Sequence, residues 1–526
     1  NHIHTQTNTH LTIRDIFHHP TPATLAHHIE TLQANETAQD GGYTLGRWPA
    51  AGPPLTAGPR PERLPLSFAQ RRLWLLSGLE DKGTAYNVPM AARFRGELDL
   101  PALRQALADV VARHEPLRTV YVAVDGEPVQ RVLPTGEVVP YLEHRRTDGR
   151  RLDAELTAAA RHAFDLEREM PLRITVLDTG AGEFTVLFLL HHIATDGQSL
   201  GPLFADLSAA YTARCAGRAP NWAPLPVQYA DYALWQRRAL GDAADENSPL
   251  GRDLAFWRKT LADLPEELGL VPDRPRPAVA GHRGAALPVG FGAELYSRIE
   301  TLARTERCTP FIVVHAALAA ALTRLGAGED IPLGTPVAGR GDERLAGLVG
   351  FFVNTVVLRT DTSGNPSFSE LLNRVRAADL DAFAHQGAPF DQVLEAVAPR
   401  RSASRHPLFQ VCLALENGGT PQLRLAGLES GGVRVLDTRS AKFDLEFLLR
   451  GDRAEGLTGG LVYNRDLFDE ATAERLLATF HRVLDQVLSA PNRSLSEVPV
   501  LSEVERELVV QRWNDTAAEI GDGTLN

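Results

Sequence analysis

The chain has 526 residues, with 54 Lys and Arg against 66 Asp and Glu, a net charge of −12, 44% hydrophobic and 23% charged residues. One core of roughly 100–200 residues does not account for that length, so two or more domains are expected, and the composition excludes a disordered or collagen-like chain. An acidic chain without a basic run is a poor polyanion binder, so nucleic acid is not an expected partner. The apolar run Phe184 to Leu190 is too short to cross a bilayer, and no charged-then-apolar leader opens the chain. Cys215, Cys308 and Cys412 are odd in number and far apart, which argues against a disulfide framework and for a reducing, cytoplasmic compartment. Lysine occurs only at positions 82, 259 and 442.

Residues 1–34 carry seven of the 17 histidines. The pairs His18–His19 and His27–His28 suggest a metal, but no carboxylate or thiolate is spaced to complete a ligand set, which favours a solvated helical surface. Thr21-Pro22 reads as an N-cap followed by proline at the first helical position, with Leu25, His28 and Ile29 at helical spacing. Residues 35–62 are rich in Gly and Pro and read as a linker.

A long mixed segment follows. Ser67 and Gln70 form a capping box ahead of Leu73, Trp74 and Leu76. Asp99 caps a helix over Leu100 to His114, with Leu103, Leu107, Val110 and Val111 inward. Phe184 to Leu190 reads as a buried strand, and Leu200 to Tyr211 as a helix ending near Gly217. The second half repeats the style. Thr309-Pro310 starts an apolar helix, Ser367 and Glu370 form a second capping box, and Phe443 to Leu449 alternate as a half-buried strand. Leu476 to Val487 form a closing amphipathic helix. Two αβ lobes of comparable size, joined near residue 236, fit this pattern.

Between the buried strand and the helix that follows it stands His191-His192-Ile193-Ala194-Thr195-Asp196-Gly197. A strand feeding a tight turn and then a helix holds side chains on a rigid frame and points backbone N–H groups where negative charge can collect. Histidine is the base type whose ordinary pKa suits neutral pH. Asp196 is expected to turn inward and pair with an arginine, and Gly197 to allow a bend that a Cβ opposes. Taken singly, each piece has a plainer reading as a satisfied core histidine or a common Asp-Gly turn.

The wider chain resembles the condensation domain of nonribosomal peptide synthetases. Seven motifs stand in the family's order: Ser67 to Trp74, Arg113 to Thr119, the double-histidine turn, Tyr229 to Trp235, Val349 to Thr355, His385 to Phe390, and Arg401 to Leu408. The likeness covers about residues 64–500. Leu11 to Thr21 resembles the last third of a peptidyl carrier domain, whose pantetheine-bearing serine would lie before residue 1. Leu501 to Thr516, within 501–526, resembles the linker entering an adenylation domain. The sequence departs from the family at Gln198, Gly387, Ser402 and His406, which bears on substrate fit and loop packing.

The resemblance implies an α/β fold of two chloramphenicol-acetyltransferase-like lobes, 63–236 and 237–500, in a V-shaped pseudo-dimer, with the carrier remnant as a short helical appendage. It implies acyltransferase chemistry in bacterial secondary metabolism of the antibiotic or siderophore kind: an acceptor amine attacks a donor thioester, both carried on phosphopantetheine, with no metal or nucleotide. Upstream and downstream carrier domains and an adenylation domain are the implied partners. His192 is the expected acting histidine and His191 its support. Asp196 is expected to be structural, paired with Arg113 or Arg118, and Asn354 to lie in the tunnel floor. Gln70, Arg72, Trp74, Tyr229, Asp231 and Trp235 are expected to pack, cap and brace. The intact histidines argue against a cyclisation domain. A non-catalytic recruitment domain of the same fold and an epimerising or ester-forming relative stand as alternatives, and the run Asp196 to Tyr211 resembles the subclass taking an L-configured donor.

Overall fold

A computed structural model describes residues 23–26, 28–29, 53–79, 84–400, 402–417 and 422–516. The expected cap at Thr21-Pro22 and the histidines before His28 lie outside them. In the first half the strands are β1 (Leu64–Pro65), β2 (Asn87–Gly96), β3 (Thr119–Val124), β4 (Glu127–Val132), β5 (Tyr141–Arg146), β6 (Leu172–Gly180) and β7 (Glu183–His191). The helices there are α1 (Phe68–Leu79), α2 (Leu100–Arg113), α3 (Leu152–Ala160), α4 (Leu200–Cys215) and α5 (Tyr229–Leu240). The second half supplies β8 (Gly284–Phe291), β9 (Asp330–Val337), β10 (Asn354–Asp361), β11 (Val411–Asn417), β12 (Leu428–Val435), β13 (Leu445–Asp452) and β14 (Gly456–Asn464). Its helices are α6 (Pro249–Thr260), α7 (Ala293–Thr305), α8 (Pro310–Arg324), α9 (Phe368–Ala384), α10 (Phe390–Val397), α11 (Glu470–Ser489) and α12 (Glu503–Glu507).

Local signals set many of the element ends. Asp99 accepts the Ala102 N–H at 2.9 Å at the start of α2, and Thr309 accepts that of Ile312 at 3.3 Å at the start of α8. Both capping boxes form: Ser67 with Gln70, and Ser367 with Glu370. One sheet has the order β12-β2-β7-β6-β5. The apolar stripes of α2 and α4 bury against one of its faces, Leu103, Leu107 and Val110 meeting Leu203, Phe204 and Leu207. Each such side chain contributes ~1.5–3 kcal/mol by leaving water. The other large sheet has the order β10-β9-β11-β13-β14-β8, with α7, α8, α9 and α11 over its core face. A small sheet, β1-β4-β3, completes the fold.

Two features depart from the expected division of the chain. β12 belongs to the second half, yet it pairs antiparallel with β2 of the first, Leu428 opposite Gly96 and Val435 opposite Met90. Residues 53–62, read as linker from their composition, are pinned in place. Leu55 is buried, its carbonyl accepts from Arg344, and the Pro53 carbonyl accepts from Trp235 Nε1. Arg60 reaches both Asp231 at 3.1 Å and Glu115 at 2.8 Å. A Gly- and Pro-rich composition says how freely a backbone moves when alone; it does not register partners far along the chain.

Candidate active site

β7 runs between β2 and β6, and its residues Val186 to Leu190 are buried. It ends at His191 in extended backbone, and residues 192–194 make one 3-10 turn. His191 caps that turn, its Nδ1 accepting the Ile193 N–H at 3.1 Å. Its ring is 1% exposed and packs edge-on against Phe164. His192 is half-buried. Its backbone N–H donates to the Tyr86 carbonyl at 2.8 Å, and its Nδ1 lies 3.0 Å from the Thr195 carbonyl. A carbonyl only accepts, so Nδ1 carries the hydrogen and Nε2 presents its lone pair. No described residue hydrogen-bonds Nε2. Burial first, then the Lys442 ammonium, push both imidazoles down to about 3, so both are neutral at pH 7.

Asp196 is 2% exposed and joins the turn to the second half. Its Oδ1 accepts the Ser199 N–H at 2.8 Å and an Arg340 N–H at 3.0 Å, and its Oδ2 accepts the Phe352 N–H at 3.0 Å. Arg340 also donates to the carbonyls of Leu345 and Leu348, touches Ser199 Oγ at 2.7 Å, and lies over the Phe352 ring at 4.1 Å. The expected partners, Arg113 and Arg118, are engaged elsewhere. Arg113 pairs with Asp206 at 2.8 Å and stacks on Trp222, while Arg118 donates to the Leu133 carbonyl at 2.6 Å. The residue that satisfies Asp196 comes from the loop after β9, 144 positions away in sequence.

Gly197 needs a second correction. It is exposed and not in the left-handed region, and a Cβ there would meet only the Glu416 carboxylate at 3.4 Å. The close approach falls at Gly350, where a Cβ would lie 2.1 Å from Tyr229 Cδ2.

The motifs Ser67 to Trp74 and Val349 to Thr355 reach the same turn, and Tyr229 to Trp235 braces the second of them. Gln70 donates to the Ile193 carbonyl at 3.2 Å and to Tyr121 Oη at 3.1 Å. Tyr229 donates its hydroxyl to the Phe351 carbonyl at 2.5 Å and meets Ser67 Oγ at 2.8 Å. The Phe351 ring stands 5.5 Å from that of His192. Asn354 fixes the turn before α10: its Nδ2 donates to the carbonyls of Gln386 and Ala388, and its Oδ1 accepts the Phe390 N–H. Arg72 lies over the Phe390 ring at 4.5 Å. Trp235 sits buried in α5 beside Tyr232.

Sequence reasoning passed over Arg340, Ser199, Tyr86 and Lys442. Lys442 sits in the loop before β13 with its Nζ 5.2 Å from the Tyr86 ring centre. Only the rarity of lysine in this chain marked it beforehand.

The family model for the condensation domain matches residues 61–510. The chain belongs to the condensation-domain family. This condensation domain is 47% identical over 519 residues to CymA of Salinispora arenicola, named a "probable non-canonical nonribosomal peptide synthetase", covering 97% of the chain and 6% of that protein. It is 43% identical over 520 residues to a dimodular nonribosomal peptide synthase of Bacillus subtilis, covering 98% of the chain and 21% of the relative. The domain thus spans a small part of the curated relatives it matches. Among solved structures, the X-domain of teicoplanin biosynthesis in complex with OxyB matches with a TM-score of 0.80 and 35% identity, covering 86% of this chain and 99% of that one. The α/β fold is that of condensation domains, with the chloramphenicol-acetyltransferase-like sheets expected from the resemblance. No described helix is long and apolar enough to cross a membrane.

Proposed function

We propose that this condensation domain forms a peptide bond between an upstream peptidyl or aminoacyl carrier thioester and the amine of a downstream aminoacyl carrier thioester. One observation carries the reading: a neutral imidazole, His192, with Nε2 unengaged, at the tip of a turn locked to both halves of the chain. The two phosphopantetheine arms are substrate, brought by carrier domains beside an adenylation domain. The amine nitrogen attacks the thioester carbon and the carbonyl π pair moves to oxygen. Collapse of the adduct breaks the C–S bond, the electron pair leaves with sulfur, and the amine's proton ends on the thiol. A thioester is already activated, so alignment of the two arms supplies much of the rate. Nε2 of His192 accepts a hydrogen bond from the amine and aims its lone pair. An imidazole held near 3 is a weak base, so orientation and onward transfer of the proton dominate over its storage. His191, Asp196 and Arg340 hold the turn, and Asn354 holds the neighbouring one.

The test is a single-turnover reaction with a dipeptidyl upstream carrier and an aminoacyl downstream carrier. A longer peptidyl thioester forms with the native domain and not with His192→Ala; equal product from a folded His192→Ala protein ends the proposal. An L-configured donor terminus is accepted and its D epimer refused. A second reading rests on the likeness to the X-domain solved with OxyB, namely a domain that docks a partner enzyme without forming a bond. It requires that the native domain give no product with any pair of loaded carriers.

A further inference from the structure

Lys442 is a cation beside the histidine turn with no ion-pair partner among the described residues. Its Nζ stands 5.2 Å from the centre of the Tyr86 ring. Tyr86 holds the turn from below: its carbonyl accepts the His192 N–H at 2.8 Å, and its ring lies 6.5 Å from that of His191. Among the described residues Nζ makes no ion pair. Asp444, two positions on, is taken up by Arg276 at 2.9 Å. On β13, Glu446 stands in register with Cys412 of β11, and burial raises both. Glu446 also feels the Lys442 ammonium, which pulls its carboxyl back down, so it offsets that charge in part without pairing to it. Glu416, at the far end of β11, lies at Gly197 and is engaged by Arg450 at 3.3 Å. Asp196 is matched by Arg340, and His191 is neutral. The turn thus sits in the positive field of Lys442, which lowers both His191 and His192.

A positive field opposes protonation of any base brought into it. Two bases meet here in the proposed reaction: the imidazole of His192 and the α-amine of the acceptor. Resting on that reading of the site, we propose that Lys442 is a positioning residue for charge, holding both His192 and the incoming α-amine in their neutral forms so that the amine arrives as a nucleophile. The ordinary pKa of an α-amine is about 7.7–8.0, so in water much of it is protonated at neutral pH and cannot attack. A cation beside it lowers that value, as neighbouring cations do for nucleophilic lysines. The covalent step is unchanged. The proton shed by the ammonium goes to solvent before attack, and the second amine proton ends on the departing thiol.

The test is the pH profile of single-turnover amide formation by native domain, Lys442→Met and Lys442→Arg, from about pH 6 to about pH 9. In Lys442→Met the midpoint of the acidic limb moves up by about one unit, so the rate falls roughly tenfold on that limb and recovers at high pH. Lys442→Arg keeps the native midpoint because it keeps the charge. A uniform loss of rate with the midpoint unmoved overturns the proposal and leaves Lys442 a packing residue. Should Lys442→Met not fold, the titration of His192 is followed by NMR in the native protein. An imidazole that protonates near its ordinary 6.5 overturns it equally. Failure of the native domain to form any amide instead rejects the parent reading, so the two failures are distinct.

Discussion

Asp196 accepts hydrogen bonds from Ser199, Arg340 and Phe352 where water does not reach. Its removal leaves the Arg340 guanidinium, itself 5% exposed, without its carboxylate. Breaking such a buried pair costs about 3–5 kcal/mol, so Asp196→Ala is expected to lower stability by that amount in urea denaturation. Activity falls with it, since the turn is no longer tied to Phe352. Arg113→Ala is the contrast. It loses an ion pair with Asp206 away from the turn, and single-turnover activity stays within severalfold of native. A thousandfold loss there would restore Arg113 as a support of the motif. His192→Ala keeps the fold, because its backbone N–H still reaches Tyr86, and loses about 10²–10⁴-fold in rate, measured by product per carrier pair.

At the scale of elements, one side chain joins the start of β10 to the turn entering α10. Asn354 makes three hydrogen bonds across that junction, to Gln386, Ala388 and Phe390. Each is worth roughly 0.5–1.5 kcal/mol net, so Asn354→Ala is expected to cost about 1.5–4.5 kcal/mol and to speed hydrogen exchange at residues 386–390 while leaving β7 protected. Unchanged exchange at that turn would show that α10 holds it without help. Gly350 marks a second junction. A methyl group there meets the Tyr229 ring at 2.1 Å, so Gly350→Ala displaces either the Phe351 carbonyl from Tyr229 or α5 from the loop, and the thermal midpoint drops. The capping boxes at Ser67 and Ser367 are helix-local, but Ser67 also meets Tyr229, whose hydroxyl donates to the Phe351 carbonyl, so one cap is linked through Tyr229 to the second half.

Across the whole molecule, three imidazoles held down by desolvation couple stability to pH. His191, His192 and His406 are each held down to about 3, chiefly by burial. Each takes up a proton near its ordinary 6.5 once the chain unfolds. Between those two values the unfolded chain binds more protons than the folded one, so stability rises with pH in that window. The contribution is whole above about pH 6.5 and is lost as the pH falls toward about 3. Denaturation midpoints should therefore fall steadily below pH 6.5, and a His406→Phe variant should fall less steeply. A flat profile from pH 7 to pH 4 would mean that these rings are already reached by water.

The turn, the strand before it, the helix after it and the caps were legible in the residues because they depend on neighbours a few positions apart. Asp99, Ser67 and Thr309 needed only the first turn of their own helices. The double histidine needed only the strand that carries it. The acid's partner was not legible: arginine is abundant in this chain, and nothing along its length distinguishes Arg340 from Arg113 until the loop after β9 folds over α4. The same holds for β12, which crosses to the sheet of the other half, and for Leu55 and Arg60, which turn a linker-like segment into a strap. Local order follows from spacing and propensity. Which distant charge ends beside which is decided by burial, because only the closed fold makes an unpaired carboxylate or ammonium costly enough to choose its place.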